Sequence, residues 1–307
     1  MSQPPRKIFV SYSHTQRDWV HDRLCPCLSA SGAEVLIDTG RFQAGQQVLG
    51  QMDALQDRAD ATLPVLTPEY LASDACRYEL RRAVAKDPNF TNGGTIPIVR
   101  ATCQLPPELT PANSLHAPLH LDFQDDRQLG PWEQLFQACQ SDLRSDAPHW
   151  LETRDDVRRM LQRGESVNLV VHGQAGWREL VKHLAESVTM REVDVALPGA
   201  ITRPGLLAQM LGRDTLPSKP KGQDLVEFQR QLEASPAAVT VALFHAERME
   251  ERKYGTDLFF TLRHLVSEAR KLNLLIVSRS RTFVTLVPAE VRASLPTLPV
   301  VELKGQP

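Results

Sequence analysis

The chain reads as two consecutive α/β domains, each a largely parallel sheet with helices between its strands. Three observations predict this. Short, nearly continuous apolar runs recur along all 307 residues, as strands buried on both faces require. Amphipathic stretches of helical spacing separate them, the alternation of βαβ units. The alternation pauses at one polar tract, Ser141–Pro148 (SDLRSDAP), and then restarts. A chain of roughly twice the usual ~150-residue domain length accommodates both halves, and the expected domains are residues 1–144 and 150–307.

In the first domain, Ile8-Phe9-Val10 predicts a buried strand ending at Ser11-Tyr12-Ser13-His14. Asp18–Ala30 follows as a helix, because Trp19, Val20, Leu24, Cys27 and Leu28 share one face, and Ser31-Gly32 stops it. Glu34–Asp38 (EVLID) is the second strand, and Thr39–Gly45 a polar loop bracketed by glycines. Val48, Leu49, Met52, Leu55 and Ala59 form a further helical stripe. The third strand, Ala61–Leu66, runs into Thr67-Pro68, whose proline suits the first position of a helix. Ala75–Ala85 reads as helix, Thr95–Arg100 (TIPIVR) and Pro118–Phe123 (PLHLDF) as strands four and five, and Pro131–Leu143 as the closing helix. This is a flavodoxin-like order, in which ligands sit beyond the carboxyl ends of the strands.

The second domain repeats the logic. Helix Leu151–Arg163, strand Val167–Val171 (VNLVV) and helix Trp177–Val188 come first. Strand Val193–Leu197, helix Pro204–Leu211, loop Asp214–Gln223 and helix Leu225–Glu233 follow. Strand Val239–Phe244 (VTVALF), helix Asp257–Leu272, strand Leu274–Ser278 and an edge strand Leu298–Leu303 complete it.

Composition narrows the function classes. Apolar residues are 42% and charged residues 23% of the chain, with a net charge of -2. A near-neutral chain offers no electrostatic footprint for nucleic acid or an anionic membrane. No apolar run approaches the ~20 residues of a membrane span, and the polar, proline-bearing start Met1–Lys7 has no apolar segment of a signal peptide behind it. The five cysteines, Cys25, Cys27, Cys76, Cys103 and Cys139, are odd in number and contain no CxxC pair. That argues against a disulfide framework or a zinc module and for a reducing cytoplasmic setting. Most read as small core residues; Cys76, near a helix start, has the alternative reading of an activated thiol.

Four blocks of the first domain carry a family resemblance: KIFVSYSH (Lys7–His14), IDTGRFQAG (Ile37–Gly45), LTPEYLASDACRYEL (Leu66–Leu80) and TIPIVR. In order and at matching separations they resemble the Toll/interleukin-1 receptor (TIR) domain, in particular its bacterial kind, over about Lys7–Arg144. The tryptophan of that family's WxxxE pattern is Ala75 here, and its glutamate is Glu79. The resemblance implies cleavage of NAD+ at the nicotinamide–ribose bond, with Glu79 as the catalytic carboxylate and activation by self-association through the TIR domain. NAD+ is then a substrate; no cofactor and no metal are expected.

The chemistry suits a single carboxylate. Nicotinamide in NAD+ is already a cationic leaving group, so the difficulty is positive charge developing on the ribose, as in glycoside cleavage. A carboxylate beside the ribose stabilises that charge; other residues position the substrate. Tyr12 and Phe42 are the candidate walls for the ring, and Ser13, His14 and Arg41 the candidate polar contacts. Four of them have a plainer reading: Tyr12 as a strand cap, Phe42 as a loop anchor, His14 and Arg41 as surface. From position alone Glu79 reads first as a solvated helical glutamate; the resemblance reverses that.

In the second domain, NLVVHGQAGWRELVKHLAESV (Asn168–Val188) has a P-loop layout of strand, glycine turn and helix. Set against GxxGxGK[ST], Gly173 and Gly176 fall in place, but Arg178, Glu179 and Leu180 replace the last Gly, the Lys and the Ser/Thr. The lysine for the phosphates and the hydroxyl for Mg2+ are both missing, and Glu179 would repel phosphate. His245-Ala246-Glu247 follows VTVALF without an acidic residue at the strand end, and Ser278–Arg281 (SRSR) reads as a solvated turn. This half resembles an inactivated nucleotide-binding domain of the STAND (signal-transduction ATPase) kind. Its expected work is regulatory, docking a protein partner or sensor, with Trp177 either an exposed contact or a core aromatic.

The sequence therefore predicts a cytoplasmic TIR-domain NAD+ hydrolase of an immune or antiphage system, gated by assembly through its C-terminal domain. The alternatives are a non-enzymatic TIR adaptor acting by TIR–TIR contact, and an NAD+ cyclase producing a signalling nucleotide.

Overall fold

A computed structural model describes residues 5–37, 48–110, 117–141, 146–173, 176–216, 222–252, 254–292 and 298–305. The chain forms two compact units, Met1–Leu151 and Glu152–Pro307.

In the first unit β1 (Lys7–Tyr12), β2 (Glu34–Leu36), β3 (Ala61–Leu66), β4 (Ile98–Val99) and β5 (Leu121–Asp122) form a parallel sheet of order β2-β1-β3-β4-β5. This is the flavodoxin-like arrangement read from the alternation. The run after β1 is helical throughout: a 3-10 turn His14–Gln16, then α1 (Arg17–Trp19), a π turn Val20–Leu24 and α2 (Cys25–Ala30). Pro26 explains the interruption: it has no N–H for an i→i−4 bond, and at Cys25 the N–H reaches back to the Val20 carbonyl instead. α3 (Val48–Arg58) precedes β3; α4 (Pro68–Ala72) and α5 (Asp74–Lys86) follow it, and α6 (Leu129–Ala138) closes the unit. Both helices after β3 start on side-chain caps, Thr67 Oγ1 accepting from Tyr70 N at 3.1 Å and Ser73 Oγ from Cys76 N at 3.3 Å. An aromatic file consolidates the far side: Trp19 lies 5.9 Å from Phe123, which meets Trp132 edge-on at 4.9 Å. Both indole N–H groups are satisfied by Asp126, through its carboxylate and its carbonyl.

α7 (Ala147–Gln162) starts inside the tract read as a linker, so the dividing point of the chain lies within a helix. In the second unit β6 (Val167–Val171), β7 (Arg191–Asp194), β8 (Val239–Phe244), β9 (Leu272–Arg279) and β10 (Val300–Leu303) pair in parallel in the order β10-β6-β9-β8-β7. α8 (Trp177–Ser187), α9 (Arg203–Leu211), α10 (Gln223–Glu233) and α11 (Thr256–Arg263) connect the strands, with short α12 (Phe283–Leu286) and α13 (Ala289–Arg292) before the edge strand. The core gathers Phe228, Leu258, Leu265, Ile276 and their neighbours from β7, β8, β9 and the helices between them. β7 falls two residues earlier than the apolar reading of Val193–Leu197, and Leu197 is exposed. The helix expected over Asp257–Leu272 ends in a π turn, His264–Glu268, and β9 takes over at Leu272.

Candidate active site

Two strand ends and one helix build the site of the first unit. β1 and β3 are neighbours, while β2 lies on the other side of β1. The chain therefore reverses its direction of travel across the sheet between β1 and β3, the place where open α/β sheets bind ligands. Ser11 sits at the carboxyl end of β1, opposite Pro64 of β3. Tyr70 comes from α4, just after β3, and Glu79 from the second turn of α5.

These three side chains meet. Ser11 Oγ donates to Glu79 Oε2 at 2.5 Å and lies 2.8 Å from Tyr70 Oη. Glu79 is 5% exposed, Ser11 1% and Tyr70 0%. Glu79 is thus a buried, hydrogen-bonded carboxylate, and the reading of it as a solvated helical glutamate is corrected. Gln56 of α3 ties the same turn down, its Nε2 donating to the Glu79 carbonyl at 2.9 Å. Burial drives the Tyr70 hydroxyl well above its ordinary 10.0, so it remains a neutral donor. Burial also raises the Cys76 thiol, whose Sγ donates to the Tyr12 carbonyl at 3.6 Å. Both features run against the alternative of an activated Cys76 thiolate and fit the reading of a small core residue.

The other sequence candidates fall as follows. Tyr12, half-buried, ends β1; its hydroxyl is 3.0 Å from His21 Nε2, and its ring meets His14 and His21 edge-on. Ser13 caps the 3-10 turn and its Oγ accepts from Thr15 at 3.2 Å. His14 is exposed. Arg41 and Phe42, with the rest of the loop 38–47, lie outside the described residues. Ala75, at the position of the motif tryptophan, is exposed. Tyr70 joins Glu79 through Ser11, whereas Tyr78 points to Asp53 of α3, its hydroxyl 3.2 Å from Oδ2. Sequence reading missed Ser11 and Tyr70 as site residues. The signal available was their place, one inside the FVSY strand end and one in the TPEYL block.

In the second unit the glycine turn has the geometry the layout demands. Gly173 and Gly176 hold φ of 64° and 63°, which a side chain would strain. Trp177, the first residue of α8, is 7% exposed, and its ring packs 5.4 Å from Phe244 and edge-on to His245 at 5.8 Å. Arg178 lies over its outer face at 4.7 Å. Trp177 is a core aromatic, and its reading as an exposed contact is corrected. Leu180 is fully buried where a hydroxyl for Mg2+ would stand. Glu179 turns along its own helix to Lys182 at 3.1 Å and His183 at 3.6 Å. His245, at φ 52° after β8, bonds Asp194 at the end of β7 at 2.8 Å. Ser278 is buried and bonded to Asn168 and to the Arg281 carbonyl, so the solvated part of the SRSR turn begins at Arg279. Among the described residues no group of three or more His, Cys, Asp or Glu side chains is arranged to hold a metal ion, and no helix is long and apolar enough to cross a membrane.

Comparison with known proteins agrees with the N-terminal assignment. Residues 8–136 match the family model of the TIR domain. Human (Homo sapiens) Toll-like receptor 1 is 28% identical over 72 residues, 24% of this chain and 9% of that receptor, so the chain spans a small part of this relative's length. Among solved structures, the TIR domain of the Toll-related receptor TRR-2 from Hydra magnipapillata is similar over 43% of this chain and 97% of its own, at 19% identity and a TM-score of 0.37. The ORC2 protein of Aeropyrum pernix in its ADP form is similar over 53% of this chain and 48% of its own, at 14% identity and a TM-score of 0.38. With its 2-1-3-4-5 sheet and its match over residues 8–136, the N-terminal unit of this chain is a TIR domain.

Proposed function

We propose that this protein is an NAD+ glycohydrolase whose TIR domain cleaves the nicotinamide–ribose bond, with Glu79 as the catalytic carboxylate. The observation that carries the reading is the buried Glu79, hydrogen-bonded to Ser11 at the reversal between β1 and β3. A carboxylate in a largely desolvated site stabilises developing charge far more strongly than one in water.

In the proposed reaction the bond from the ribose anomeric carbon to the nicotinamide nitrogen breaks, and its electron pair leaves with the ring as neutral nicotinamide. Positive charge spreads over the anomeric carbon and ring oxygen, and Glu79 faces it. A water oxygen then bonds the anomeric carbon and releases one proton, giving ADP-ribose. Capture of the same carbon by the substrate's own adenine would give a cyclic product instead. Tyr12, at the end of β1, and the loop containing Arg41 and Phe42 would border the substrate.

The second unit is the proposed gate. A buried Leu180 stands where the motif has its magnesium-binding hydroxyl, and Glu179 where it has its lysine, which supports a nucleotide-independent role in docking a partner or sensor. Self-association of TIR domains would bring the chain to its active state, in keeping with an immune or antiphage role. The test is chromatography of NAD+ incubated with the full chain, first dilute and then crowded or with its partner. Nicotinamide with ADP-ribose, or with a cyclic nucleotide, separates hydrolase from cyclase. No loss of NAD+ in any assembled state would leave the adaptor reading, which the exposed Ala75 favours.

A further inference from the structure

We infer that Ser11 and Tyr70 are positioning residues that aim the Glu79 carboxylate, as a hydroxyl relay Tyr70 → Ser11 → Glu79. The inference rests on the proposed role of Glu79 and extends it to two residues outside the acidic motif.

The geometry fixes the direction of the relay. A serine hydroxyl carries one proton, and that of Ser11 goes to Glu79 Oε2 at 2.5 Å. The 2.8 Å contact between Ser11 and Tyr70 must then be donated by the tyrosine. Burial keeps the tyrosine protonated, so this donor persists through the physiological range. Each hydroxyl polarises the next, which strengthens the bond reaching the carboxylate. The three groups come from β1, α4 and α5, and each backbone segment is anchored on its own: Ser11 by the β1–β3 ladder, Tyr70 by its N–H on the Thr67 cap, and the Glu79 turn by Gln56. A glutamate has three rotatable side-chain bonds. Tying one oxygen to a strand restricts those rotations, and a charge-stabilising group needs a fixed geometry.

Tyr70 from α4 and Cys76 from the helix of Glu79 are both raised by burial, so neither carries charge near neutrality, and β1 and α3 contribute the uncharged Ser11 and Gln56. A hydrogen bond donated to the ionised carboxylate favours ionisation. Its loss must therefore move the acid limb of activity toward higher pH.

The experiment measures nicotinamide release from NAD+ across pH 5–9 by the assembled full chain, as wild type, Ser11→Ala, Tyr70→Phe and Glu79→Gln. Removing one hydrogen bond to a charged group corresponds to a fall of about ten- to a hundredfold in kcat for Ser11→Ala, with KM little changed and the acid limb displaced upward. Tyr70→Phe gives a smaller change of the same sign. Alongside, a 13C-glutamate titration followed by NMR, with the Glu79 resonance assigned by its absence in Glu79→Gln, reads the carboxyl midpoint without any turnover; it rises in Ser11→Ala. If Glu79→Gln is inactive while Ser11→Ala and Tyr70→Phe keep the wild-type rate and acid limb, the relay is refuted and the catalytic reading stands. If wild type and Glu79→Gln release nicotinamide alike, the catalytic reading fails, and an unmoved Glu79 midpoint in Ser11→Ala refutes the relay as well. Should Ser11→Ala not fold, Tyr70→Phe decides by the same two readouts.

Discussion

Replacing Trp177 by alanine tests whether the residue that opens α8 is part of the core of the second unit. The indole is 7% exposed and packs on Phe244 and His245 at ring distances of 5.4 and 5.8 Å. Truncating a buried tryptophan to alanine costs about 3 to 5 kcal/mol through lost transfer energy and the cavity left behind. The two aromatic contacts place Trp177→Ala in the upper part of that range. With a urea m-value of about 2 kcal/mol/M for a unit of this size, the midpoint of its transition falls by about 2 to 2.5 M. The assay is urea unfolding of the full chain followed by far-UV circular dichroism, in which one of two transitions moves. Leu180 and Glu179 are unchanged by the substitution, so equilibrium dialysis of the variant with ATP and Mg2+ still detects no binding. A midpoint shift below about 0.5 M would refute the account of Trp177 as a core residue, and tight ATP binding would refute that of Leu180 and Glu179 as disabling the phosphate site.

Two further outcomes concern the TIR domain. Above pH 10 an unfolded tyrosine loses its proton while Tyr70, raised by burial, keeps it. Its contribution to stability is complete below pH 10 and is lost as pH rises toward its folded value; Tyr70→Phe should flatten the alkaline fall in melting temperature, and an unchanged slope would contradict the assignment. Asp87 accepts from the backbone N–H groups of Thr91, Asn92 and Gly94 at 3.0, 3.0 and 3.2 Å; despite desolvation, those bonds hold its carboxyl below its ordinary value. Asp87→Ala should lower stability by about 1 to 3 kcal/mol at pH 7, a difference that shrinks below pH 4 as the wild-type carboxyl protonates. A difference that holds constant between pH 7 and pH 3 would show that the bonds do not depend on charge.

Legibility in the sequence followed burial. β3, β6 and β8 are short, mostly apolar runs, buried throughout but for Val239 at the start of β8, and their bounds coincide with the reading residue for residue. β7 has two exposed residues and no such run, so its apolar signal, Val193 to Leu197, was displaced toward the loop that follows. The π turn before α2 was written in Pro26, whose missing N–H a face-counting argument overlooks. Glu79 was legible as a motif residue, but its burial was not, because the groups that enclose it belong to a strand and a helix elsewhere in the chain. Ser11 looked like one more strand residue; only the register of β1 against β3 brings it to α5. The glycine turn of the second unit was legible down to its two positive-φ residues, whereas the fate of Trp177 depended on Phe244 and His245, far along the chain.

The central claim is that Glu79 of the TIR domain cleaves NAD+. Its most direct test is nicotinamide release by assembled wild-type chain beside Glu79→Gln, which keeps the shape of the side chain and removes its charge. Loss of a preorganised charge-stabilising group predicts a fall of about a hundred- to a thousandfold in kcat with the fold intact. Equal turnover by the two proteins would contradict the account.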